Sequence, residues 1–161
     1  MKKSSKGFSL IELLIVVAII LIIAAIAIPN LLRSRIAANQ ASAVGSLRTL
    51  NTAEVTYSST YNVGFTATMS YLAPPTTAGA NPTSTAAGLI DSVLSGGSKS
   101  GYSFTYSSGT PDSGGRINEY QFTSSPITSS TGTNFYFTDQ SGVIRQNSTA
   151  TAGSTDSPIA G

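Results

Sequence analysis

The chain has 161 residues, a length that suits one globular domain rather than two. It contains no Cys, His or Trp, which excludes disulfide bridges, thiol nucleophiles, zinc sites built from Cys or His, and a histidine general base. The net charge of +2 comes from the first residues: beyond residue 7 the chain has six basic and seven acidic side chains, so its basicity does not indicate nucleic-acid binding.

The N-terminus begins with a short basic segment. Lys2, Lys3 and Lys6 fall within the first seven residues, and an apolar run follows directly. A basic start before an apolar run is typical of targeting sequences. We therefore expect residues 1–7 to be a leader peptide.

Residues 8–28 form the apolar run, in which only Ser9 and Glu12 are polar. A helix of this length would reach about 31 Å, which matches the hydrocarbon core of a bilayer. An ordinary secretory signal has an apolar run of only about 7–15 residues, so this run is too long, although Ala25-Ile26-Ala27 is similar to a cleavage site with small residues. The pattern predicts a transmembrane helix.

Glu12 is the unusual residue of this helix. An acidic side chain at the centre of a membrane helix costs about 2.5–3.5 kcal/mol and less towards an end, so it needs a partner or a water-filled neighbour. The nearby lysines all lie in the leader. Glu12 is therefore a candidate functional residue.

Residues 29–61 continue with helical periodicity but with less hydrophobicity. One face carries the apolar side chains of Leu32, Ile36, Ala43, Leu47, Leu50, Tyr57 and Tyr61. Pro29 removes one backbone hydrogen bond and predicts a helix kink. Two descriptions remain open, a single bent helix or two helices that are separated at Pro29.

Residues 62–146 are rich in Gly, Pro, Ser and Thr and read as a globular head. We expect a loop at 73–85, a short helix at about 86–95, and strands around 102–107, 119–123, 135–137 and 143–145. These strands form an antiparallel sheet, and the amphipathic stripe of the long helix covers its apolar face. The predicted fold class is α+β, and residues 147–161 are predicted to be a flexible tail.

The residues KGFSLIELLIVVAII at 6–20, followed by AIPN at 27–30, resemble the N-terminus of type IV pilins and pseudopilins. The resemblance implies that a prepilin peptidase cleaves after Gly7 and that the same enzyme N-methylates the new N-terminus, Phe8. It also implies that Glu12 is the family's acidic residue, which meets the Phe8 amine of a neighbouring subunit during assembly. A contact between Glu12 and its own terminal amine is the alternative.

The same resemblance implies a function and a location. Residues 101–106 and 137–145 look like sheet strands of some bacterial type IVa-like pilins, which favours a major pilin and the pilin fold. Such a subunit would lie in the bacterial inner membrane as a single-pass protein before assembly. It would then form a helical homopolymer, a cell-surface pilus for motility, adhesion or DNA uptake. Its implied partners are further copies of itself, the prepilin peptidase and the inner-membrane pilus assembly machinery.

A pseudopilin or minor pilin of a type II secretion or DNA-uptake system is the alternative. Major pseudopilins resemble one another in an acidic calcium loop that this sequence lacks, and the chain also lacks the paired cysteines of better-known pilins. The remaining carboxylates are spread along the chain, so we expect no metal site, no cofactor, no catalytic residue and no enzyme activity. The aromatic residues are attributed to core packing rather than to a specific nucleic-acid site.

Overall fold

The computed structural model describes residues 8–77 and 79–159. The chain divides into two compact units, one at residues 1–35 and one at residues 36–161. The predicted leader, with its lysines and Gly7, lies outside the described residues.

Helix α1 runs from Leu10 to Tyr61 and has 52 residues. Pro29 lies inside this helix, which confirms one continuous helix rather than two. Because proline has no amide hydrogen, the carbonyl of Ala25 lacks its helical donor at this point. The kink at Pro29 stays a prediction.

The first unit consists of the N-terminal part of α1, and its apolar side chains are exposed. Leu10, Leu14 and Ile23 have exposed fractions of 82%, 63% and 60%. Of the described residues, α1 is the one helix that is long and apolar enough to cross a membrane. The predicted transmembrane segment is therefore helical, and nothing in the described chain covers its side chains.

The second unit has two layers, the C-terminal part of α1 and a sheet. On α1, four residues of the predicted apolar face are buried: Ala43, Leu47, Leu50 and Tyr57. They pack in one core with inward-facing side chains of the sheet, which are Tyr102, Phe104, Tyr120, Phe122 and Tyr136. The predicted α+β fold with an amphipathic helix on an antiparallel sheet is confirmed.

The sheet has six antiparallel strands in chain order. Thr105 pairs with Thr123, and Thr123 pairs with Phe137, so these side chains lie on the outer face while their neighbours in sequence face α1. The four predicted strands are present, but β1 and β6 are additions, and β5 begins at residue 145 rather than 143. The strands are β1 (Ser98–Lys99), β2 (Tyr102–Ser108), β3 (Tyr120–Pro126), β4 (Phe135–Asp139), β5 (Arg145–Asn147) and β6 (Ser157–Pro158).

The short helix is smaller than predicted. Helix α2 covers only Ser92–Ser95, and a 3₁₀ helix at Met69–Leu72 precedes it. The Asp91 side chain caps α2 by accepting from the Leu94 amide at 2.8 Å. The residues before Asp91 are not helical because their amides bond elsewhere: those of Leu89 and Ile90 donate to the Leu72 carbonyl.

Of the predicted flexible tail at 147–161, residues 147–159 lie within the described structure and include strand β6. Strand β6 pairs with β5, and Ala152 is buried with an exposed fraction of 3%. The Asp156 carboxylate accepts from the Asn147 side-chain amide at 2.9 Å and from the Gly153 amide at 2.8 Å. These hydrogen bonds hold a segment with few apolar side chains, which is why its composition suggested disorder.

Candidate functional site

The residues singled out for function lie at the start of α1. Ser9 precedes the helix, and its carbonyl accepts the first helical bond, from the Leu13 amide at 3.2 Å. Glu12 is the third helical residue, and its Oε2 accepts a hydrogen bond from the Ser9 amide at 2.9 Å. Phe8 is 81% exposed. The structure thus brings Glu12 within one turn of Phe8, while Gly7 lies outside the described residues.

The contact between Ser9 and Glu12 is one half of a capping box. In this motif the side chain at the third helical position reaches back to the amide of the N-cap residue. A carboxylate there also interacts favourably with the positive end of the helix dipole. Among the described residues of one chain, Glu12 therefore has a backbone amide, that of Ser9, as its partner.

The contact of Glu12 with Ser9 was not predicted from the sequence. Its signal is present, because a Ser followed three residues later by Glu, before an apolar run, is a helix-start pattern. The apolar character of residues 8–28 indicates a membrane segment and makes the helix-start pattern less evident. The pairing of Glu12 with an amine of Phe8, in the same chain or a neighbouring one, stays a prediction.

The surroundings of Glu12 are apolar and open. Ile11, Leu13 and Val16 have exposed fractions of 63%, 58% and 47%, and further apolar side chains follow along the helix. A continuous apolar surface of this extent is rare on a soluble monomer and marks a surface that contacts lipid or protein. The arrangement supports association, with one carboxylate near the N-terminal end of an apolar surface.

The second unit has a polar cavity of about 670 Å³ on the outer face of the sheet. Phe137 and Thr123 contribute to its lining, together with the carboxylates of Glu119 and Asp139. The residues around it include neither a histidine nor a cysteine, and among the described residues no three side chains are grouped as metal ligands.

Comparison with known proteins gives the class of the N-terminal region. Residues 2–28 match the family described as "Prokaryotic N-terminal methylation motif". This range contains Gly7, Phe8 and Glu12. The N-terminal region therefore has the type IV pilin signal, and the resemblance found in the sequence is confirmed.

Two relatives are type IV pilus proteins by name. The chain is 49% identical over 53 residues to the type IV major pilin protein PilA of Myxococcus xanthus, which is 33% of this chain and 24% of that protein. It is 65% identical over 37 residues to the type IV wide pilus major component PilA4 of Thermus thermophilus, which is 23% of this chain and 28% of that protein. The matched stretch thus spans about a quarter of each relative, and no solved structure matches the chain.

Proposed function

We propose that the chain is a structural subunit that polymerises with further copies of itself into a type IV pilus. One observation carries this proposal: the exposed apolar part of α1, with the single acidic residue Glu12, lies within the methylation motif at residues 2–28. Both relatives bear the names of major pilus components. Their names give no support to the alternative of a pseudopilin or minor pilin.

In the proposed maturation, a prepilin peptidase cleaves after Gly7 and the new N-terminus at Phe8 is methylated. Cleavage turns the Phe8 amide nitrogen into a cationic amine, since a free α-amino group is protonated at neutral pH. The amine then lies one residue from Ser9 and within one turn of Glu12. The leader therefore controls whether a positive charge is available beside the apolar helix.

Glu12 then acts in assembly. When the apolar helices of several subunits pack together, the carboxylate and the terminal amine are both removed from water. A buried charge is tolerated when it is paired, whereas removal of one partner costs about 3–5 kcal/mol. A pair between Glu12 of one subunit and Phe8 of the next would set the register of neighbouring helices.

The proposed path of the protein follows from the exposed helix. Before assembly, lipid covers the apolar side chains of residues 8–28, and the subunit is a single-pass protein of the bacterial inner membrane. During assembly, other copies of the helix replace the lipid, with the help of the pilus assembly machinery. The second unit remains in water, on the surface of the cell-surface filament.

The test separates the charge of Glu12 from its capping role. Glu12→Gln keeps an oxygen that can accept from the Ser9 amide, but it removes the negative charge. Glu12→Ala removes both the cap and the charge. We expect both variants to reach normal membrane levels and to give few or no filaments, whereas Glu12→Asp retains some.

The measurements are immunoblots of membrane fractions and electron microscopy of sheared filaments. Glu119→Gln is the matched control, since Glu119 is an exposed carboxylate of the second unit, and it should leave filaments unchanged. Normal filaments from Glu12→Gln with few from Glu12→Ala would show that the cap matters and the charge does not. Abundant filaments from both variants would contradict the proposed role of Glu12.

A further inference from the structure

Glu54 is a buried acid in the second unit, far along α1 from the assembly region. Its side chain has no exposed surface, and it points towards the segment that follows the helix. The titratable groups that face it are Tyr57 on α1, Tyr106 on β2 and Tyr120 on β3. None of these three groups can supply a positive charge to a buried carboxylate.

The partner of Glu54 is Thr66. The Thr66 amide donates to Glu54 Oε2 at 3.0 Å. The Thr66 hydroxyl oxygen lies 2.6 Å from Glu54 Oε1 and 3.1 Å from the Tyr106 hydroxyl oxygen. The Tyr106 hydroxyl in turn donates to the Thr66 carbonyl. Three side chains thus form a closed network between α1, the following segment and β2.

The number of protons in this network decides the state of Glu54. A threonine hydroxyl has one proton, and so does a tyrosine hydroxyl. The Tyr106 proton is used on the Thr66 carbonyl, so the contact between Thr66 and Tyr106 requires the Thr66 proton. The short contact between Thr66 and Glu54 then needs a proton from Glu54. If Glu54 were ionised, the single proton of the Thr66 hydroxyl would have to serve the contacts with both Glu54 and Tyr106. One of these two contacts would then not be a hydrogen bond.

We propose that Glu54 is held as a neutral carboxylic acid whose proton closes a latch, the hydrogen-bond network of Glu54, Thr66 and Tyr106, and that this latch opens when the pH rises. Ionisation would break the contact between the hydroxyls of Thr66 and Tyr106, while the carboxylate can still accept from the amide of Thr66. The neighbours of Thr66 are held independently, because the Phe65 amide donates to the Ile117 carbonyl at 2.8 Å and the Phe65 ring contacts Tyr120. The change is therefore local to Thr66 and does not detach the whole segment.

Burial gives the direction of the pH dependence. Desolvation raises the pKa of Glu54 above its ordinary value of 4.5, against the smaller opposing effects of its hydrogen bonds with Thr66 and Tyr106. Below about pH 4.5, the ordinary pKa, Glu54 makes its full contribution to the free energy of unfolding. This contribution is lost as the pH rises through the raised pKa of Glu54 in the folded protein. Burial also raises the pKa of Tyr106 and Tyr120, so these hydroxyls stay neutral over this range.

Glu54→Gln in the full chain tests the latch. The glutamine oxygen can accept from the Thr66 amide, and its NH₂ group can donate to the Thr66 hydroxyl, so the variant imitates the protonated acid at every pH. We expect Tm of the wild type to fall relative to the variant between about pH 4.5 and pH 8. Each unit by which the pKa is raised corresponds to a relative shift of about 4 °C in Tm.

Amide hydrogen exchange locates the effect. The exchange rate of every amide changes intrinsically with pH, and Glu54→Gln measures this change for the Thr66 amide. In the wild type, protection of the Thr66 amide should decrease with rising pH by more than it does in the variant. Glu119→Gln is the control for an exposed acid, and its Tm should follow that of the wild type with pH. A difference in Tm between wild type and Glu54→Gln that stays constant with pH would overturn the proposal.

A second variant keeps the proposal testable if Glu54→Gln does not fold. Tyr106→Phe removes the second acceptor of the Thr66 proton, so the threonine hydroxyl becomes free to donate to an ionised Glu54. We expect a weaker loss of Tm with pH in Tyr106→Phe than in the wild type. An unchanged dependence on pH in that variant would show that Tyr106 is not part of the latch.

Discussion

The two glutamates of helix α1 have opposite environments. Glu12 is exposed at the first turn and caps the helix through the Ser9 amide. Glu54 is fully buried and bonds to the amide and hydroxyl of Thr66. Substitution of Glu12 should therefore leave the second unit intact, whereas substitution of Glu54 should change the stability of the second unit itself.

Gly64 occupies a position that has no room for a side chain. Its φ is +85°, and a Cβ atom would lie 2.2 Å from the Ile117 carbonyl oxygen. Gly64→Ala should destabilise the protein by about 2 kcal/mol or more, since it combines a strained backbone with a clash against backbone atoms. Denaturant unfolding of the full chain in detergent, followed by circular dichroism, measures the change.

Gly45→Ala is the matched control for this prediction. Gly45 lies in α1, and a Cβ atom there meets nothing within 4 Å. Alanine in a helix interior is favoured over glycine by about 0.5–1 kcal/mol, so this variant should be more stable than the wild type. Equal effects of the two substitutions would mean that the contact between Gly64 and Ile117 does not exist in solution.

At the scale of elements, regular patterns could be predicted and irregular backbone pairing could not. The helical period of the buried residues in α1 and the alternation in β2 and β3 are visible in the sequence, because each element buries one face. The burial of Glu54 could not be predicted from the sequence, because it depends on the contact of Thr66 with α1. Strand β6 was missed because its two residues, Ser157 and Pro158, show no apolar alternation, whereas backbone pairing and the hydrogen bonds of Asp156 hold the segment.

Asp156→Ala tests how the C-terminal segment is held. The substitution removes the acceptor for the Asn147 side-chain amide and for the Gly153 amide. We expect a loss of about 1–3 kcal/mol in unfolding free energy and faster amide exchange over residues 147–159, with little change in β2. If the amides of this segment exchange as fast in the wild type as in the variant, the segment is a flexible tail, as the sequence predicts.

At the scale of the whole molecule, the described residues present two kinds of surface. The apolar side chains of residues 8–28 are exposed, while the second unit has its own aromatic core under a six-stranded sheet. An apolar surface of this extent marks contact with lipid or protein. Similarity to the pilus proteins of Myxococcus xanthus and Thermus thermophilus covers 53 and 37 residues of the chain.

We expect the filaments to consist of this chain after cleavage of its leader. The most direct measurement is the intact mass and N-terminal sequence of the protein in sheared cell-surface filaments. We expect the chain to begin at Phe8, with the mass of one added methyl group. A chain that begins after Ala27, or filaments that lack this protein, would contradict the assignment as a pilus subunit.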